Sequence, residues 1–190
     1  MSTVVQQLLT LAGVVLGAGA TYTVTALTER AKWRRLLDTR WDDKRLAAYS
    51  EYANGLKKSL EVSYRLAATH GYPASTQPID LDTGLQALAA AEADRTAKWE
   101  AVLLLGSPEA IAAARRWHKA AWMLRYVARG EATIEHDEYI RLYESMGRLR
   151  DEFYEATRAD LGIKSGALPV SEGAWLPPGY RSLQGGGDNA

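Results

Sequence analysis

The chain opens with a long run free of charge. No Asp, Glu, Lys or Arg stands before Glu29, and charged side chains then crowd together as far as Arg45. Within the run, LLTLAGVVLGAGATYTVTAL (8–27) is apolar nearly all round and has no polar stripe, so it fits poorly as a core helix. As one helix these residues reach about 30 Å, the thickness of bilayer hydrocarbon, and they predict a transmembrane span. Thr10, Thr21, Tyr22, Thr23 and Thr25 are polar within it, and Gly13, Gly17 and Gly19 dilute its hydrophobicity. A cleaved signal peptide is the alternative, since AGA at 18–20 has the small-x-small pattern of a cleavage site. Against cleavage, the leading MSTVVQQ lacks a cation, while Arg30, Lys32, Arg34 and Arg35 follow at once and resist translocation. By the positive-inside rule the N-terminus lies outside and everything beyond residue 29 is cytoplasmic. Tyr22 and Trp33 then fall at the cytoplasmic interface.

Past this point the apolar positions take a helical period. Leu46, Tyr49, Ala53, Leu56 and Leu60, with Ala67 a heptad further, lay a stripe on a helix that runs without proline to His70. Gly71 and Pro73 stop it. Asp80 or Asp82 caps a second helix reaching about Leu105, with Leu85, Leu88, Ala89, Trp99, Val102 and Leu103 inward. In GSPE, Gly106 ends that helix, Ser107 caps the next, Pro108 takes its first position and Glu109 suits its positive end. The third helix runs to Arg129 with Ile111, Ala114, His118, Ala121, Leu124 and Val127 inward, and Gly130 closes it. Thr133 caps a fourth, with Leu142, Met146, Leu149, Phe153 and Ala156 inward and Leu161-Gly162 at its end. The expected architecture is all-α: a transmembrane anchor (1–28), a bundle of three or four helices (29–162) and a disordered tail (163–190).

Charge changes this picture locally. The 23 basic and 23 acidic residues balance, which removes the general electrostatic case for nucleic-acid binding. Yet residues 30–45 hold seven basic against three acidic residues, and 130–162 hold four against nine. Arg30, Lys32, Arg34 and Arg35 thus form a basic collar for anionic headgroups, or simply a solvated face carrying the topology signal. Within the anchor, Gly13, Gly17 and Ala20 form a smooth strip on which a second helix backbone could pack closely.

Candidate chemistry is sparse. There is no cysteine, hence no disulfide, thiolate metal site or cysteine nucleophile. His70, His118 and His136 belong to neither HExxH nor ExxH pairs, and His118, between Trp117 and Trp122, reads as a hydrogen-bonded core or boundary residue. GVVLGAG lacks the Lys-Ser/Thr of a phosphate loop. Asp151, Glu152 and Glu155 sit at salt-bridging spacing from Arg148, Arg150 and Arg158 along one helix. Trp99, Trp117 and Trp122 could line a pocket but more simply pack a core. Pro177, Pro178 and Tyr180 match the PPxY pattern of WW-domain ligands. No catalytic residue, metal ligand or cofactor follows from any of these, and the expectation is a non-enzymatic protein.

The stretch 21–58, TYTVTALTERAKWRRLLDTRWDDKRLAAYSEYANGLKK, resembles small single-pass membrane proteins of Streptomyces and related actinobacteria. Their pattern is a small-residue span, a basic-aromatic exit and a helix of the form W-D/E-x-x-R-L-x-A-Y-x-x-Y/F, here Trp41, Asp42, Arg45, Leu46, Ala48, Tyr49 and Tyr52. Most such proteins are uncharacterised, and some are labelled plasmid-spread (Kil-type) proteins. The resemblance implies a single-pass topology and an actinobacterial host. The expected protein is a membrane-anchored helical assembly or scaffold protein at the cytoplasmic face, and its link to plasmid transfer or spread rests on the analogy alone. Its partners would be membrane lipid and a second copy or another protein, not nucleic acid. The alternative is an exported helical domain, released after Ala20, that binds a ligand or protein in the envelope.

Overall fold

The computed structural model describes residues 29, 40–74, 76–164, 166, 168 and 169. The anchor face Gly13, Gly17 and Ala20, the collar Arg30, Lys32, Arg34 and Arg35, and the Pro177–Tyr180 motif lie outside the described residues, as does most of the tail. Two compact units divide the chain, Met1–Asp43 and Lys44–Ala190. In the first, residues 29 and 40–43 are helical. The second is a four-helix bundle whose helices are α1 (40–69, of which 44–69 fall in this unit), α2 (Leu81–Leu105), α3 (Pro108–Ala128) and α4 (His136–Asp160). Among the described residues no helix is long and apolar enough to cross a membrane.

The helix boundaries follow local chemistry. Asp80 caps α2 by accepting from the Thr83 backbone N–H at 3.1 Å, and Ser107 caps α3 by accepting from Ala110 at 3.2 Å, with Pro108 at the first turn. α1, α3 and α4 end alike. After each, a glycine at positive φ (Gly71, Gly130, Gly162) donates three residues back, and the next residue donates five back, satisfying the last carbonyls. α4 departs from expectation, because Glu135 holds the cap position without a side-chain bond and Thr133 lies two residues upstream. The cause is tertiary: the Tyr72 hydroxyl donates to the Ile134 carbonyl and accepts from its N–H, each at 3.0 Å. These bonds hold the Ile134 backbone just ahead of the helix, which begins after it.

Tyr49, Ala53, Leu56, Leu60 and Ala67 of α1 are buried, as are Leu88 and Val102 of α2, Ala114, Ala121, Leu124 and Val127 of α3, and Met146 and Phe153 of α4. Leu85, Trp99, Ile111, Leu142, Leu149 and Ala156 pack at the core margin. Three expected inward positions face out. Leu46 is 54% exposed, and Ala89 and Leu103 are also exposed. In α2 the inward row is instead Gly84, Leu88, Ala91, Arg95 and Val102, a choice fixed by close approach to α1. A Cβ on Gly84 would overlap the Leu66 side chain, and one on Gly55 would stand 3.3 Å from the Arg95 Cα.

Phe153, the sole phenylalanine of the chain, centres the core. Its ring lies 6.0 Å from Tyr49, 5.8 Å from Tyr52 and 5.8 Å from Trp117, edge-on to both tyrosines. At one end of the bundle, the Tyr49 hydroxyl donates to Asp160 Oδ2 at 2.5 Å and accepts from the Ser107 N–H at 3.3 Å. Arg45 stands 3.9 Å from the same carboxylate and donates to the Leu105 carbonyl at 3.0 Å. Burial, and the bond to Asp160, push the Tyr49 phenol well above its ordinary range, so it remains a donor at all physiological pH values.

Three outcomes are expected in urea unfolding. Phe153→Ala should cost about 3–5 kcal/mol through the cavity it leaves, while Leu46→Ala on the exposed side should stay within about 0.5 kcal/mol. Tyr49→Phe, which removes one bond to Asp160 and leaves the Ser107 N–H without its acceptor while keeping the packed ring, should cost about 1–3 kcal/mol.

Candidate functional site

Where α2 meets α3 the join is polar. Continuing the inward row of α2 (Leu88, Ala91) by one helical step brings Arg95, only 7% exposed, into the interior. Its Nη1 lies 3.3 Å from His118 Nδ1 on α3, and its Nη2 donates to Thr96 Oγ1 at 3.1 Å. A guanidinium has no acceptor, so Nδ1 must accept and the His118 proton sits on Nε2. Glu92, one turn before Arg95, pairs with Arg125 of α3 at 2.5 Å. The Arg125 guanidinium lies 4.3 Å over the Trp122 ring, while its buried Nε finds no partner among the described residues.

The seam therefore holds two guanidiniums, one carboxylate and one neutral imidazole. No carboxylate lies within ion-pair distance of Arg95 among the described residues. Burial, reinforced by repulsion from Arg95 and Arg125, pulls His118 down to about 4. The phenol of Tyr52, beside Arg95, is pushed up to about 12 by burial, which the Arg95 charge partly opposes. Such an arrangement is poorly built for acid–base work: among the described residues no carboxylate orients the imidazole and no nucleophile is hydrogen-bonded to it. It can hold two helices together and display cations and aromatic rings at the surface.

The other candidate residues do not converge. His70 packs its ring against Gly130 and His136 begins α4. Trp117 is buried against Phe153 and Tyr154, and Trp99 leans on Tyr52 with ring centres 5.3 Å apart, both as core. Trp122 lies on the surface. Of the acidic cluster, Glu152 pairs with Arg116 on α3 at 3.0 Å, across helices, and Asp151 with its neighbour Arg150 at 2.8 Å. A depression of about 400 Å³ at the α1–α2 loop, lined by Ala68, Gly71, Tyr72, Ala74, Thr76, Gln77 and Pro78, offers no charged group. Among the described residues no group of three His, Asp or Glu side chains is placed to hold a metal ion. His118 is the hydrogen-bonded boundary residue its sequence position predicts, whereas Arg95, Glu92 and Arg125 match no motif. Their signal was a lone arginine in an inward row of leucine and alanine.

Comparison with protein-family models, with curated proteins and with solved structures gives no match for this chain.

His118 makes stability depend on pH. Its folded-state value lies below the ordinary 6.5, so the unfolded chain binds the proton first, and stability is complete above pH 6.5 and lost as pH falls toward 4. His118→Asn keeps an acceptor for Arg95 but removes the titration. The urea midpoint of the parent chain should drop between pH 7 and pH 5 by more than that of the variant. Equal drops would show that His118 titrates normally.

Proposed function

We propose that this protein is a non-enzymatic, membrane-anchored helical assembly protein whose bundle works at the cytoplasmic face of an actinobacterial membrane. The observation that carries the reading is the uncharged stretch before Glu29 followed directly by Arg30, Lys32, Arg34 and Arg35. The bundle supports it in a general way. Several of its polar groups join helices or their connections: Tyr49 with Asp160, Tyr72 with Ile134, Arg116 with Glu152 and Arg125 with Glu92. A role in plasmid transfer or spread is the most specific form of the proposal and rests on the resemblance of residues 21–58 alone.

Fusions at residue 162 test the topology. A fluorescent protein there should be bright and alkaline phosphatase inactive, and the mature chain should retain Met1–Ala20. Active phosphatase, or an N-terminus at Thr21, would establish the exported alternative instead.

A further inference from the structure

The outward face of α3 carries an ordered row. Arg115, Lys119, Trp122 and Tyr126 recur at intervals of four, three and four, which places them on one side of the helix over about 16 Å. Trp122 is 43% exposed and Tyr126 36%, and the neighbouring Met123 is 48% exposed. Ala113, Ala114, Trp117, Ala121, Leu124 and Val127 take the opposite, buried side.

Most cations of this helix are paired. Arg116 pairs with Glu152, Arg125 with Glu92, and Arg129 at the C-cap with Glu131. Arg115 and Lys119, on the outward row, make no ion pair or hydrogen bond among the described residues. The row thus presents two unpaired cations followed by two exposed aromatic rings, with no acid on it.

We propose that this row is the interface with a second copy of the chain, packed antiparallel about a two-fold axis between residues 120 and 121. The intervals four, three, four read the same in both directions, and reversal turns cation, cation, ring, ring into ring, ring, cation, cation. An antiparallel copy therefore sets Arg115 against the second copy's Tyr126 and Lys119 against its Trp122, each pair occurring twice as an isologous contact requires. Met123 lies at the edge of the row, where the pairing would cover it. The chain's own Arg125 lies over Trp122 at 4.3 Å and Tyr126 at 5.8 Å, so the second copy's cations would meet the ring surface that Arg125 leaves exposed. A lipid surface would be indifferent to the order of cations and rings along the helix. One helix pair makes a small interface, and anchoring in a common membrane raises the effective concentration at which it forms. The inference rests on the assembly reading proposed above.

The test is sedimentation of the full-length chain in detergent solution, with helicity followed by circular dichroism. The parent chain should form a dimer. R115E and Y126K should each weaken it at least tenfold. The R115E/Y126K double variant should regain parent-like affinity, because each new carboxylate then faces the other copy's new ammonium. K119E, W122K and their combination repeat the logic on the inner pair, should an outer variant fold poorly. A dimer indifferent to all single variants would overturn the interface and leave the assembly reading standing. Loss without recovery in both double variants would overturn the antiparallel pairing. A parent chain that is monomeric throughout would overturn interface and assembly together, and a monomer that binds anionic vesicles through Trp122 would reassign the face to lipid.

Discussion

The bundle is organised by one aromatic contact set, the ring of Phe153 against Tyr49, Tyr52 and Trp117. Those residues come from α4, α1 and α3, so a single side chain fixes the spacing of three helices. Aromatic rings meeting edge-on tolerate little sliding, since the favourable approach of ring edge to ring face is directional. The polar end of the same cluster then limits rotation. Tyr49 belongs to the aromatic set through its ring and to the Asp160–Ser107 knot through its hydroxyl, which ties the α2–α3 turn to the end of α4.

α2 is held by other means. It lies close on α1 because Gly55 and Gly84 leave room where a side chain would collide. Its join to α3 is electrostatic, through Arg95 with His118 and Glu92 with Arg125. A buried guanidinium without a carboxylate is costly, and hydrogen bonds to a neutral imidazole and a hydroxyl compensate it only in part. The same seam orients Trp122 by placing Arg125 over its ring, so the interior arrangement governs what the surface of α3 displays. In this way the polar seam connects the fold to the proposed assembly face.

Much of the architecture was legible from residues near one another in the chain. Asp80, the Gly106-Ser107-Pro108 turn, and the glycines at 71, 130 and 162 set helix ends through bonds spanning five residues or fewer, which local sequence specifies. The inward rows of α3 and α4 were legible because their polar and apolar faces differ clearly. Tertiary structure decided the rest, for identifiable reasons. The start of α4 depends on a hydroxyl 62 residues away. The inward face of α2 could not be read because small and apolar residues lie all round it, and only the fit of Gly84 against Leu66 selects a face. Whether Arg95 is buried, and that His118 stays neutral beside it, depends on two helices bringing like charges and low-polarity surroundings together. Periodicity reports which side of a helix is apolar; it carries no information about which neighbour that side will meet.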